Sequence, residues 1–284
     1  MLSYRHGFHA GNHADVLKHL VLLRTLAHLN RKEGAYWVID THAGAGLYDL
    51  RGPQAEKLGE FRDGIGRLWG RDDLPAALAD YLAQVHAANP DGRLTRYPGS
   101  PWLAARALRA QDRLRLFELH STEAPLLQAC FRGAGRQVKV TAGDGFAGLK
   151  ALLPPPPRRG LVLIDPSYES RADYGALLRA LKDGLARFAT GIFAVWYPLL
   201  ARTEARELPG RLKHLPARRW LDVSLTVAPP RPDGLGMQGS GMFVVNPPWT
   251  LEAELRECLP FLAATLGQDG AGRFSLDSRE EKGE

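Results

Sequence analysis

The chain has 284 residues, 45% of them hydrophobic, enough to bury the core of one large domain or two modest ones. Thirty-seven basic against 31 acidic residues give a net charge of +6 and a pI near 9.4, a balance that favours a polyanionic partner. Cys130 and Cys258 lie far apart without metal-ligand spacing, and neither a signal-type leader nor an apolar run of roughly 18 residues is present. A reducing, cytoplasmic location is therefore expected, with no membrane association.

Residues 1–13 place Tyr4, Arg5, His6, Phe8, His9, Asn12 and His13 among small residues. Rings beside cations suit base stacking and phosphate contact. The histidines at 6, 9, 13 and 19 lack a supporting Cys or carboxylate pattern, so no metal is expected. Asn12 with Asp15 resembles a capping box, and apolar residues at 16, 17, 20, 23 and 26 predict a helix over 14–30. Lys18 and His19 fall in its first turns.

Residues 36–40 read as a first buried strand ending in Asp40, and 41–46, Thr-His-Ala-Gly-Ala-Gly, as the turn after it. Gly44 and Gly46 let backbone approach a ligand closely. The dehydrogenase pattern is absent, because position 49 is Asp. No strand is evident over 48–97; apolar spacing predicts two helices there, taken as an inserted helical subdomain. Ser100 at N-cap followed by Pro101 restarts the fold with a helix. A second strand, 113–118, ends in Glu118, where an acid suits ribose hydroxyls. A third, 137–141, leads into Gly-Asp-Gly at 143–145, where Asp144 can accept from an adenine amine or close an Asx-turn.

Residues 161–164 are continuously apolar, as in a strand buried on both faces, and run into Asp165, Pro166, Ser167 and Tyr168. A carboxylate, a rigid kink and a flat ring suit gripping a planar base with an exocyclic amine. A fifth strand is predicted at 190–197. A final antiparallel pair follows at 221–227 and 241–245, then a helix over 251–266 and a disordered tail over 271–284. Asn-Pro-Pro-Trp at 246–249 formally matches an amine-methylating motif, but it follows the last strand. It is read instead as a rim of the substrate cleft or a helix start.

Taken together, a glycine turn, a ribose acid, Gly-Asp-Gly and Asp-Pro-x-Tyr at four successive strand ends resemble Rossmann-like S-adenosylmethionine-dependent methyltransferases of the amino-methylating branch. The opening 1–19, the turn 40–46, Pro-Gly-Ser-Pro at 98–101, residues 158–165 and residues 240–249 resemble the bacterial ribosomal RNA large-subunit methyltransferase J family over nearly the whole chain. The resemblance implies an α/β fold with a mainly parallel seven-stranded sheet. The methyltransferase domain would span 1–47 and 98–270, with 1–13 as a tail and 48–97 inserted.

It also implies N6 methylation of one adenine in 23S rRNA by a monomer without an obligate protein partner, acting on RNA rather than the finished ribosome. S-adenosyl-L-methionine would contact His19, His42, Gly44, Gly46, Ser100, Glu118, Asp144, Gly145 and Asp165. Asp165 and the Pro166 carbonyl would grip the amine, Tyr168 would stack on the base, and Tyr4, His6 and Lys18 would handle RNA. Ser167 stands where the family has proline, which implies a looser turn with activity retained. DNA adenine-N6 or protein glutamine-N5 methylation and a catalytically silent RNA-binding module are the competing readings.

Overall fold

The computed structural model describes residues 4–231, 233–234 and 236–280. A 3-10 turn, His6–Phe8, leads into α1 (His13–Asn30). Asn12 accepts from the amides of Ala14 and Asp15, as the capping pattern predicts. The reciprocal half of the box does not form, because the Asp15 carboxylate takes the Gly11 amide at 2.8 Å instead.

Next in order are β1 (Trp37–Asp40), β2 (Leu47–Asp49), α2 (Pro53–Leu58), α3 (Ala76–Ala87) and β3 (Arg96–Pro98). The ends of the 48–97 segment therefore do form strands, β2 and β3, paired antiparallel with Tyr48 opposite Tyr97. Its apolar residues Ile65, Leu68, Leu78, Tyr81 and Val85 share one cluster with Leu17, Leu20 and Leu26 of α1. Only Pro53–Leu58 and Ala76–Ala87 are α-helical, the stretch between them carrying two short 3-10 turns at Glu60–Arg62 and Ile65–Arg67, and the segment shares the common core.

The nucleotide-fold part continues with α4 (Ser100–Ala107), β4 (Arg113–Glu118), α5 (Glu123–Cys130), β5 (Val138–Ala142), α6 (Gly145–Leu152) and β6 (Gly160–Ile164). It then runs through α7 (Arg171–Arg187), β7 (Ile192–Leu199), α8 (Thr203–Lys213), β8 (Trp220–Thr226), β9 (Gly239–Val245), α9 (Leu251–Leu266) and β10 (Arg273–Arg279). Gly99, not Ser100, is the N-cap of α4, which frees the Ser100 hydroxyl for another partner.

Among the described residues, one sheet of eight strands runs β10-β8-β9-β7-β6-β1-β4-β5. The five strands from β7 to β5 are parallel, and β9, β8 and β10 add antiparallel neighbours. The eighth strand is β10, formed from residues expected to be disordered. It pairs with β8 from Arg273 opposite Thr226 to Arg279 opposite Trp220. Its charged, polar composition suits an exposed edge, which is why it reads as a tail. Lys213 fixes it through Asp277 at 2.8 Å, and Ser224 meets Ser275 at 2.8 Å.

Side-chain alternation divides the core between the two sheet faces. Val38, Leu161, Leu163, Ala194 and Val244 join the α1, α3 and α9 side. Ile39, Val162, Ile164, Phe193 and Val245 face α7 and α8. β6 is buried throughout, as its apolar run predicts. The chain reverses its direction across the sheet at β1, between β6 and β4, and at such a switch point the strand carboxyl ends open a crevice.

Candidate active site

That crevice is a cavity of about 330 Å³, within the range of small-molecule sites. Its wall is built from the ends of β1, β4, β5 and β6 and from the first turns of α1. Nearly every residue assigned from sequence lies there: Tyr4, His6, Lys18, His19, His42, Gly44, Ser100, Glu118, Asp144, Gly145, Asp165 and Pro166.

Glu118 closes one side. The Gly44 amide donates to its Oε2 at 2.7 Å and the His120 amide to its Oε1 at 2.7 Å. Burial raises its pKa, opposed by those two amides. Gly44 has φ 60°, and a Cβ there would lie 2.1 Å from the Tyr48 hydroxyl, so the turn requires glycine. Gly46 does not line the cavity. It has φ 86°, and a Cβ on it would meet Cys130 Sγ at 3.1 Å, so it serves turn geometry and packing against α5.

Gly145 approaches the backbone of the first turn directly: an added Cβ would sit 2.1 Å from the Thr41 carbonyl oxygen. Asp144 caps α6 by accepting from the Phe146 amide at 2.9 Å, so the Asx-turn forms, while its exposed carboxylate still borders the cavity. Ser100 donates to Asp40 Oδ2 at 2.7 Å, and the His42 amide donates to Oδ1. Burial lifts the Asp40 pKa to about 6 despite those donors.

His42 lies edge-on to Phe146 with 5.0 Å between centroids, and burial lowers its pKa to about 4. His19 Nδ1 lies 2.7 Å from the Tyr97 hydroxyl, and burial lowers its pKa to about 3. The His19 Nε2 is buried without a hydrogen-bond partner among the described residues. A neutral imidazole nitrogen of this kind, in a cavity wall, is available to a ligand. With Glu118 for hydroxyls and a glycine cradle at 145, these groups fit a nucleoside carrying a polar tail.

The opposite wall is a chain of polar contacts that begins in the tail. Tyr4 Oη and His6 Nδ1 are 2.9 Å apart, and His6 Nε2 and Asp15 Oδ2 are also 2.9 Å apart. Lys18 Nζ lies 2.9 Å from Asp15 Oδ1 and donates to Asp165 Oδ2 at 2.6 Å. Burial alone would neutralise both members of the Asp15–Lys18 pair. For Asp15, burial raises the pKa, but His6 and Lys18 pull it well below the usual carboxylate range. For Lys18, burial lowers the pKa, but Asp15 and Asp165 hold it well above that of free lysine.

Tyr168 is not placed to stack on a substrate. Its side chain is only 1% exposed, its φ is 53°, and its hydroxyl donates to the Trp196 carbonyl at 2.6 Å. The ring packs on Tyr174 and Trp196, inside the α7–α8 core. The left-handed backbone turns the ring inward, which the motif alone does not reveal. Tyr4, Tyr48, Phe146 and Trp196 supply the aromatic surfaces of the cavity.

Sequence reasoning missed Asp15, Tyr48 and Trp196 as parts of the site. Asp15 carries a signal, since it stands three and four positions before Lys18 and His19 on one helical face. Tyr48 and Trp196 carry none. The 246–249 segment lies at the other end of the sheet, because Val245 pairs with Trp220 and Phe193, so it is not a rim of the cleft. It does precede a helix, α9.

Residues 33–279 match the family model described as "Ribosomal RNA large subunit methyltransferase D, RlmJ". Over 278 residues, 98% of each chain, the sequence is 46% identical to "Ribosomal RNA large subunit methyltransferase J" of Haemophilus influenzae. It is 47% identical to the Escherichia coli protein of the same name over 276 residues, 97% of this chain and 98% of that one. The crystal structure of LPL1258 from Legionella pneumophila superposes with a TM-score of 0.88 at 35% identity, covering 95% of this chain and 98% of that one. With a matching family model and relatives aligned end to end, the chain belongs to the RlmJ family of ribosomal RNA large-subunit methyltransferases.

Proposed function

We propose that this protein methylates the N6 amine of one adenine in 23S rRNA and acts on RNA rather than on the assembled ribosomal subunit. The observation that carries the reading is the placement of Asp165 and Pro166 at the end of β6, facing Glu118, Asp144 and Gly145 across one cavity. S-adenosyl-L-methionine, when bound, supplies the electrophilic methyl carbon. Glu118, Asp144, Gly145, His19 and His42 would hold it, with Ser100 and Asp40 behind them.

An adenine amine is a poor nucleophile because its lone pair is delocalised into the ring. Two acceptors, the Asp165 carboxylate and the Pro166 carbonyl, draw its two hydrogens and favour a pyramidal nitrogen. Lys18 already occupies Asp165 Oδ2, which leaves Oδ1 as the oxygen for an amine hydrogen. In-line positioning supplies much of the acceleration, and Asp165 or water removes the surplus proton. Extruding a paired adenine costs a few kcal/mol, so a loop or distorted helix is the favoured target.

Tyr4 and His6 border the cavity beside Arg5, which suits a nucleic acid over protein, and the ribosomal RNA methyltransferases that the chain resembles end to end favour RNA over DNA. The test is to map N6-methyladenosine in 23S rRNA from cells with and without the protein. Labelled-methyl transfer should then be compared on protein-free 23S rRNA, 50S subunits, duplex DNA and release factor. Labelling of DNA or release factor in preference to rRNA would overturn the reading.

A further inference from the structure

The end of the sheet opposite the cavity carries an unexplained feature: Trp249, just before α9, is 68% exposed. The Arg31 guanidinium lies over its ring at 4.9 Å, and His28 meets it edge-on with centroids 6.5 Å apart. Cations gather around this point. Arg159 donates to the Leu29 carbonyl at 2.6 Å and also to that of Gly34. Arg109 donates to the carbonyls of Lys32 at 2.8 Å and Gly34 at 3.1 Å, and Arg219 to that of Pro247 at 3.0 Å. Sheet register puts these at one end, since Trp37 pairs with both Arg113 and Gly160, and Trp220 with Val245.

Carbonyl partners hold a guanidinium in place without cancelling its charge. The acids nearby compensate only in part. Asp112 is engaged by Arg109, Glu254 by Arg24, and Glu280 lies 4.0 Å from Arg219, while Glu33 is exposed. Capping the carboxyl end of α1 accounts for some of the cations. It does not account for a tryptophan left open beneath an arginine.

We infer that this end of the molecule is a second RNA contact, distinct from the catalytic cavity, on which Arg31, Lys32, Arg159 and Arg219 take the phosphate backbone and Trp249 stacks on an unpaired base. From Lys18 to Arg31 the helix advances about 20 Å at about 1.5 Å per residue. The surface therefore engages RNA flanking the methylated element, not the element itself. This rests on the reading that the substrate is rRNA.

The test uses the full chain and two RNAs, the minimal hairpin containing the mapped adenine and a longer 23S fragment around it. Trp249→Ala and the double variant Arg31→Glu/Lys32→Glu are compared with wild type. The long fragment should bind about 10-fold more weakly to each variant, by gel shift and by KM. For the double variant the log-log salt slope should fall by about two, one for each lost phosphate contact. Turnover and KM on the hairpin should stay unchanged, while Tm should drop modestly in the double variant, which sets two anions at the carboxyl end of α1, and little in Trp249→Ala. Unaltered affinity for the long fragment, or equal losses on both RNAs, would overturn the surface. Gel shift reads it even where methyl transfer fails, so the two readings stand or fall separately.

Discussion

Lys18 Nζ lies 2.6 Å from Asp165 Oδ2, joining the first turns of α1 to the end of β6 across 147 residues of sequence. The same ammonium lies 2.9 Å from Asp15 Oδ1, so one buried cation serves two carboxylates. That arrangement fixes Asp165 in orientation before any substrate arrives. Asp165→Ala should lower kcat by about 10²–10⁴-fold, the scale of a positioned acid–base group, while RNA affinity by gel shift changes little. Turnover near wild type would remove Asp165 from the chemistry.

Removing Asp15 should damage stability and turnover together. Asp15→Asn leaves Lys18 with one anionic partner in a buried setting, and breaking a buried pair costs about 3–5 kcal/mol. Urea unfolding at neutral pH measures this directly. The folded-state pKa of Asp15 is depressed, so its stabilisation is present above about pH 3.8 and disappears as pH falls through the lower folded value. The gap between wild type and Asp15→Asn should therefore close only in strong acid.

Stability should also fall as pH drops below about 6.5. Burial lowers the pKa of His13 to about 4, of His19 to about 3 and of His42 to about 4. Between those values and 6.5 the unfolded chain binds protons that the folded chain refuses, so lower pH favours unfolding. Asp40 acts in the opposite sense. Its folded pKa of about 6 exceeds the free value of 3.8, so its contribution is largest below 3.8 and is lost as pH rises through 6. Asp40→Asn should steepen the acid limb of urea midpoint against pH. A shallower limb would contradict the assignment.

Gly145→Ala tests the cradle. A Cβ 2.1 Å from the Thr41 carbonyl oxygen must displace backbone, and such overpacking costs about 1–3 kcal/mol. Calorimetry should show S-adenosylmethionine binding weakened at least tenfold. The neighbouring Gly143, whose added Cβ would only touch Thr41 Cγ2 at 4.0 Å, should tolerate alanine with little change.

The Asp-Pro-Ser-Tyr turn is held by its surroundings. Tyr168 donates to the Trp196 carbonyl at 2.6 Å, and Arg202 donates to the Tyr168 carbonyl at 3.1 Å. Tyr168→Phe should cost about 0.5–1.5 kcal/mol for the lost hydrogen bond, read from the urea midpoint. Because these contacts stiffen the turn, Ser167→Pro should change kcat by less than a few-fold. A gain of orders of magnitude would mean that the natural turn is defective.

The sequence by itself determined the order of strand ends, because β1 and β6 are continuous apolar runs and β4 and β5 alternate apolar with charged or polar residues, each stopping at an acid or a glycine turn. That was sufficient to locate Glu118, Asp144 and Asp165 along one rim. Local spacing also determined α1 and its Asn12 cap. Tertiary structure alone decided what depends on long-range approach or on a single backbone angle. Tyr168 turns inward at positive φ, Gly46 meets Cys130 instead of the cavity, and Ser100 finds Asp40 sixty residues away in sequence. β10 becomes a strand only because β8 offers an unpaired edge, something no property of a short polar segment encodes. The Lys18–Asp165 contact belongs to the same class: both residues stand in legible motifs, and only packing α1 against the sheet brings their charges together.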